Sequence, residues 1–231
     1  MIFGGFQKLT LLDYPGKVAC TLFTVGCNFA CPFCHNSFLV EKKGHQVFSE
    51  EEVVSYLKKR QGILEGVCIS GGEPLLNGEI ENFMKKIKEL GYKVKLDTNG
   101  SFPHKLKELI CKNLVDYVAM DVKNSFEKYP KTSGVEKVDV ESVKESIIYL
   151  LGDHVDYEFR TTVANGLHTI DDIQKISEQI KGAKRYYIQN FVDSGNVLGS
   201  GLSPVDEKTL LEMKENALRN INNTFIRGAD V

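Results

Sequence analysis

The sequence predicts an α/β fold, an incomplete (β/α)6 barrel, on three observations. Six segments of strand character are each followed by one of helical periodicity. The chain has 231 residues, whereas a complete eightfold barrel typically needs ~250. The unusual polar clusters all fall at, or just beyond, the end of a strand segment. Strand–helix alternation implies parallel pairing with right-handed crossovers. The alternation alone also accommodates an open doubly wound sheet. Residues 1–231 read as one domain, with a core over about 18–191 and a C-terminal helix over 205–219.

Taken in order, Val18 to Val25 is β-branched and apolar, as a buried strand should be. Ser49 with Glu52 forms a capping box that opens a helix stopped by Gly62. Val67 to Ser70 is the second strand, ended by Gly71-Gly72; Ile80, Phe83, Met84 and Ile87 then recur at helical spacing up to Gly91. Tyr92 to Leu96 is the third strand, and Pro103 starts the next helix. Tyr117 to Val122 is the fourth, followed by a helix facing inward through Val143, Ile147 and Leu150. Tyr157 to Val163 is the fifth, before a helix capped by Thr169 and Asp172 that carries Ile173, Ile176 and Ile180. Tyr186 to Phe191 is the sixth; Gly195 to Gly201 is a loop, and the last helix packs through Leu210, Met213 and Ala217.

Composition excludes several classes of function. Lysine plus arginine total 29 against 31 acidic residues, so no charge excess points to nucleic acid or an anionic membrane. Hydrophobic residues at 42% and charged residues at 26% exclude disorder and fibrous repeats. The sequence shows neither a membrane-length apolar run nor a basic-then-apolar leader, which predicts a cytoplasmic protein.

Three of the six cysteines, Cys27, Cys31 and Cys34, fall within eight residues just after the first strand. An intracellular cluster of this kind is metal-binding or catalytic. Structural zinc usually takes four protein ligands, often from two separated pairs. His35 is a fourth candidate, but neighbours in sequence do not easily aim both side chains at one ion. Three thiolates suit a 4Fe–4S cubane better, one iron apiece, with the fourth iron open to a chelating ligand. Further clusters end the other strands: Gly71-Gly72-Glu73-Pro74, Asp97-Thr98-Asn99-Gly100, Asp121 with Lys123, Arg160 with Thr162, and Gln189 with Asn190. In parallel α/β folds these ends share one edge, where ligands bind.

Cys27-x3-Cys31-x2-Cys34 with Phe33 before the last cysteine resembles the signature of the radical S-adenosylmethionine superfamily. Asp13-Tyr14-Pro15-Gly16, His35-Asn36 and the GGEP, DTNG and Met120-Asp121-Val122-Lys123 elements resemble its glycyl-radical-enzyme activases. Phe6 to Gly16 is most similar to the long-form anaerobic ribonucleotide reductase activating proteins, with the pyruvate formate-lyase activating enzymes next. The resemblance runs from about Phe6 to Phe191 and implies an incomplete barrel of the superfamily's type.

It also implies site roles. Cys27, Cys31 and Cys34 would hold one 4Fe–4S cluster, and Gly71, Gly72 and Glu73 would edge the methionine amino group of S-adenosylmethionine. Asp97, Thr98 and Asp121 would hold its sugar and carboxylate end, as some relatives do through a bound monovalent cation. Lys123 and Arg160 would supply charge for the carboxylate, and Phe33 and Gln189 would complete the cofactor site, Gln189 and Phe191 flanking the adenine. The implied protein substrate is a glycyl radical enzyme, with flavodoxin or ferredoxin as electron donor. The alternatives are a radical S-adenosylmethionine enzyme for a small molecule, such as carboxy-deazaguanine synthase, and a non-catalytic zinc module. Cys20, Cys68 and Cys111 read as buried core thiols, and His45, His104, His154 and His168 as surface or turn residues.

Overall fold

The computed structural model describes residues 1–41, 47–193, 195 and 197–228, so His45 and part of the Gly195–Gly201 loop lie outside the described residues. In chain order the elements are β1 (Ile2–Thr10), β2 (Ala19–Thr24), α1 (Ser37–Glu41), β3 (Phe48–Ser49), α2 (Glu50–Lys59) and β4 (Gly66–Gly71). There follow α3 (Ile80–Glu89), β5 (Lys93–Thr98), α4 (Pro103–Cys111), β6 (Tyr117–Asp121), α5 (Tyr129–Ser133) and α6 (Val140–Leu151). The chain ends with β7 (Asp156–Val163), α7 (Ile170–Gln179), β8 (Tyr186–Asn190), α8 (Glu207–Leu218) and β9 (Thr224–Arg227).

One sheet runs β3-β1-β2-β4-β5-β6-β7-β8-β9. From β2 through β4 to β9 all pairing is parallel, while β1 runs antiparallel to β2 and β3. Each parallel strand is added on the same side of the last, so the right-handed crossovers lay their helices on one face. A doubly wound sheet would reverse its order part-way. The monotonic order with unjoined end strands is that of an incomplete barrel.

The six expected strands are present, and three more extend the sheet. Gly4 and Gly5 hide β1 from a propensity reading, since glycine weakens a strand. Packing demands both: a Cβ on Gly4 would lie 2.4 Å from Leu39, and one on Gly5 3.1 Å from Phe23. Both predicted capping boxes form, at Ser49–Glu52 and Thr169–Asp172.

The strands alternate rather than run uniformly apolar. Val67 and Ile69, Val94 and Leu96, Val118 and Met120, and Tyr157 and Phe159 are buried in the hydrophobic core with α3 residues Phe83, Met84 and Ile87. The intervening positions (Cys68 and Ser70, Lys95 and Asp97, Asp121, Glu158 and Arg160) form the opposite face, because successive strand side chains point opposite ways. That inner face is polar because it is the wall of the site. At the amino-terminal end of the strands, Tyr14 packs 6.0 Å from Tyr117. A Cβ on Gly66 would meet the Tyr14 ring at 2.8 Å. The tyrosine of Asp13-Tyr14-Pro15-Gly16 therefore plugs the barrel bottom.

Candidate active site

The carboxyl ends of the strands surround a cavity of about 250 Å³. Cys27, Cys31 and Cys34 line one wall, Gly71 and Gly72 an edge, and Asp97, Asp121, Lys123 and Arg160 the floor. Phe33, Thr98, Thr162 and Gln189 complete the lining among the residues expected there.

Gly26 turns the chain out of β2 at φ 93°. Its N–H donates to the Leu39 carbonyl at 2.9 Å, and its own carbonyl accepts from the Glu73 N–H at 2.9 Å. A Cβ on Gly72 would fall 2.0 Å from that carbonyl, so the glycine pair at the end of β4 lets two backbones touch. Behind the cysteine loop, the Ala30 N–H donates to Ser133 of α5 at 2.8 Å, and the Gly199 N–H donates to the Pro32 carbonyl at 2.8 Å. Gly134, at φ 69°, lies against Ala30, where a Cβ would come within 2.1 Å of its carbonyl oxygen. Sequence reasoning missed Ser133, Gly134 and Gly199 as supports of the loop, since a glycine after a helix is ordinary chain punctuation.

Burial pushes the Cys27 thiol up to about 12 and the Cys31 thiol up to about 11. Both stay protonated at neutral pH until a metal takes the proton's place, so loading this loop releases protons. Among the described residues, no group of three or more Cys, His, Asp or Glu is placed to hold a single metal ion. Three sulfurs on one cavity wall that do not share an ion fit a cubane, whose irons take one sulfur each.

On the floor, charges alternate in a chain. Lys95 donates to Asp97, which also accepts from Arg160 Nη1 at 3.1 Å. Arg160 Nε donates to Asp121 at 2.8 Å, and Lys123 Nζ donates to the other Asp121 oxygen at 3.0 Å. The parallel register places Asp121 beside Arg160, which fixes the central link. Burial alone would raise both carboxyls, but Arg160 with Lys95, and Arg160 with Lys123, hold them well below the usual carboxylate range. Asp97 is thus more than a turn cap, and Lys123 is not a solvated lysine.

A model of the radical SAM superfamily matches residues 21–180. The chain belongs to the radical SAM superfamily. A Methanocaldococcus jannaschii protein described as a "Putative glycyl-radical enzyme activating enzyme" is 34% identical over 96% of this chain and 94% of its own. A 7-carboxy-7-deazaguanine synthase of Koribacter versatilis is 30% identical over 64% of this chain and 62% of its own. The fold is that of a radical SAM methyltransferase from Sphaerobacter thermophilus, with TM-score 0.74 and 13% identity over 95% of this chain and 68% of that one.

As a radical SAM enzyme, the protein uses a 4Fe–4S cluster and S-adenosylmethionine, and the three-sulfur wall fits the former. Of the radical SAM site residues expected from sequence, Glu73 and Phe191 do not line the cavity; Phe191 is buried and stacks on His35, and Glu73 has other work. It stands behind the glycine edge, 1% exposed, where its carboxylate accepts from Thr98 Oγ1 at 2.9 Å, the Asn99 N–H at 2.7 Å and the Leu75 N–H at 3.0 Å. Burial pushes it up to about 7 against those donors. Its work is to lock the DTNG turn to the GGEP turn.

Two residues depart from expectation. Cys111, at the end of α4, is exposed, so it is no core thiol. His168 is buried instead of lying at the surface. Its Nδ1 accepts from the Ala164 N–H at 3.2 Å, so Nε2 carries the proton donated to the Lys123 carbonyl at 2.8 Å. The ring also packs 6.0 Å from Phe33 of the cysteine loop, while His35 stacks 5.6 Å from Phe191.

Burial holds His168 neutral, below its ordinary pKa of 6.5. The unfolded chain takes up a proton there that the native state refuses, so this contribution to stability is present above 6.5 and is lost as pH falls below it. Urea unfolding at pH 7.5 and 5.5 should show a loss at the lower pH that is smaller in His168→Gln. An identical loss in both proteins would contradict the assignment.

Proposed function

We propose that this radical SAM enzyme is a glycyl-radical-enzyme activase, with an anaerobic ribonucleotide reductase as its protein substrate. The observation that supports the activase reading is the match over 96% of this chain to the M. jannaschii relative described as a glycyl-radical enzyme activating enzyme, against a partial match to the deazaguanine synthase; the reductase as substrate rests on the resemblance of Phe6 to Gly16. Cys27, Cys31 and Cys34 would hold the cluster. Once reduced by flavodoxin or ferredoxin, that cluster would supply one electron to cleave the S-adenosylmethionine carbon–sulfur bond, the chemistry needed to take a hydrogen atom from a glycine Cα of the partner.

The chain's own residues bind and orient. The Gly71-Gly72 backbone edges the methionine amino group, with Glu73 holding that edge from behind. Lys123 and Arg160 would receive the carboxylate, Arg160 through the guanidinium N–H groups that Asp97 and Asp121 leave unused. Thr98 lies at the sugar end, with Phe33 and Gln189 on the adenine side. Between its end strands β3 and β9 the sheet stays unclosed, and a partner loop would enter there. The protein would act as one domain in the cytoplasm, without nucleic acid or membrane; among the described residues, no helix is long and apolar enough to cross one.

The test is electron paramagnetic resonance of the reduced protein mixed with S-adenosylmethionine and anaerobic ribonucleotide reductase. A doublet from a carbon radical on the reductase is expected. A doublet only on a formate-lyase-like enzyme would move the assignment to that partner. Silence from both would favour a small-molecule substrate, as in the deazaguanine synthase relative.

A further inference from the structure

The cavity floor holds more positive charge than its carboxylates require. Asp97 Oδ1 accepts from Lys95 Nζ, and Asp97 Oδ2 from Ser70 Oγ at 3.0 Å and Arg160 Nη1 at 3.1 Å. Asp121 Oδ1 accepts from Arg160 Nε at 2.8 Å, and Oδ2 from Lys123 Nζ at 3.0 Å. All four carboxylate oxygens therefore have an internal donor, and three cations face two anions. Thr98 turns its hydroxyl to Glu73 and accepts from the Gly100 N–H at 3.1 Å. The neighbouring carboxylates belong to other contacts: Glu158 accepts from Arg227 at 3.1 Å and Tyr117 at 2.8 Å, and Asp13 accepts from Thr21 at 2.5 Å.

Resemblance suggested a monovalent metal cation among Asp97, Thr98 and Asp121. These residues do not fit one. A hard cation is held by oxygen ligands whose negative charge offsets its own. Here it would share oxygens that already accept from Lys95, Arg160 and Lys123, and three positive charges facing two carboxylates would repel it. Lys95 stands in that role from below. It is 1% exposed, reaches up from mid-β5 beside Cys68 (Nζ to Sγ 3.8 Å), and does not line the cavity.

We infer that the buried ammonium of Lys95 replaces the monovalent cation, so that ligand binding in this cavity needs no added metal ion. This rests on the placement of S-adenosylmethionine proposed above. Lys95 is a positioning residue: it holds Asp97 and, through Asp97, the Arg160 guanidinium. The surplus positive charge of the network then meets the ligand carboxylate through Arg160 and Lys123. Lys95 was legible in sequence only as one polar position of a strand, since nothing local says that it points into the barrel.

The experiment is calorimetric binding of S-adenosylmethionine to the iron-reconstituted full chain. It is run in potassium, sodium and choline chloride at equal ionic strength. Wild-type dissociation constants are expected to agree within about twofold across the three salts. Binding about tenfold tighter in potassium or sodium than in choline would overturn the inference, and needs no variant that might misfold. Lys95→Met keeps the stem and removes the charge. It should bind about tenfold more weakly in choline and recover in potassium or sodium, where a metal ion can take the vacated place. Unchanged binding by Lys95→Met in all three salts, or weakened binding that neither ion restores, would overturn it too. No binding by wild type in any salt would overturn both this role and the ligand placement, which separates the two failures.

Discussion

Cys31→Ala protein, reconstituted with iron and sulfide without air, is expected to lose its brown colour and to cleave S-adenosylmethionine more than about 100-fold more slowly than wild type. Loss of an outer partner of a metal ligand already costs 10–100-fold, and Cys31 is itself a proposed ligand. The residue is 7% exposed and lines the cavity wall, in a loop fixed by Ser133, Gly199 and Leu39. The remaining two thiols cannot saturate three irons. Cys20→Ala is the control. That thiol is buried in β2 among core residues and off the cavity, so its removal should leave colour and cleavage unchanged. Optical absorbance and iron content read the first property, and 5′-deoxyadenosine yield the second. A Cys31→Ala protein with wild-type yield would contradict the ligand assignment.

Arg160→Met has the second large expected effect. Arg160 bridges Asp97 and Asp121, and removing one partner of a buried charge network leaves the others uncompensated. Such losses cost about 3–5 kcal/mol for fully buried pairs. The side chains here are 14%, 13% and 30% exposed, so solvent screening reduces the figure toward about 2 kcal/mol. The sign with pH follows from the depressed carboxyls. They contribute stability above their unfolded value of 3.8, and that contribution is lost as pH falls through their lower folded values. The gap between wild type and Arg160→Met should therefore be widest near pH 7 and narrow below 3.8, at about pH 3. Urea unfolding at the two pH values checks this, and a gap that widens toward acid would contradict the bridging role. S-adenosylmethionine binding should weaken in parallel.

Most of the cavity was legible in the sequence because a parallel strand ends where its ligand groups begin. Cys27, Gly71, Asp97, Asp121, Arg160 and Gln189 each occupy that position on successive strands, and the sheet register brings them together. What escaped depends on contacts between distant segments. β9 is a four-residue strand after the last helix, recognisable only once β8 is there to pair with it. His168 follows a turn in sequence, and its burial comes from Lys123 and Phe33, far away in the chain. Lys95 has the composition of a solvated strand position. Only closure of the strands around an interior makes its ammonium a buried charge. The same holds for Gly134 and Gly199, whose purpose is the cysteine loop they touch.

The central claim is that the three sulfurs leave one iron free for S-adenosylmethionine. Electron–nuclear double resonance of the reduced, reconstituted protein with S-adenosylmethionine labelled with nitrogen-15 at its amino group tests it most directly. A nitrogen-15 hyperfine coupling to the cluster spin, absent without the ligand, is the expected result. A cluster that forms and binds the ligand yet shows no such coupling would contradict it.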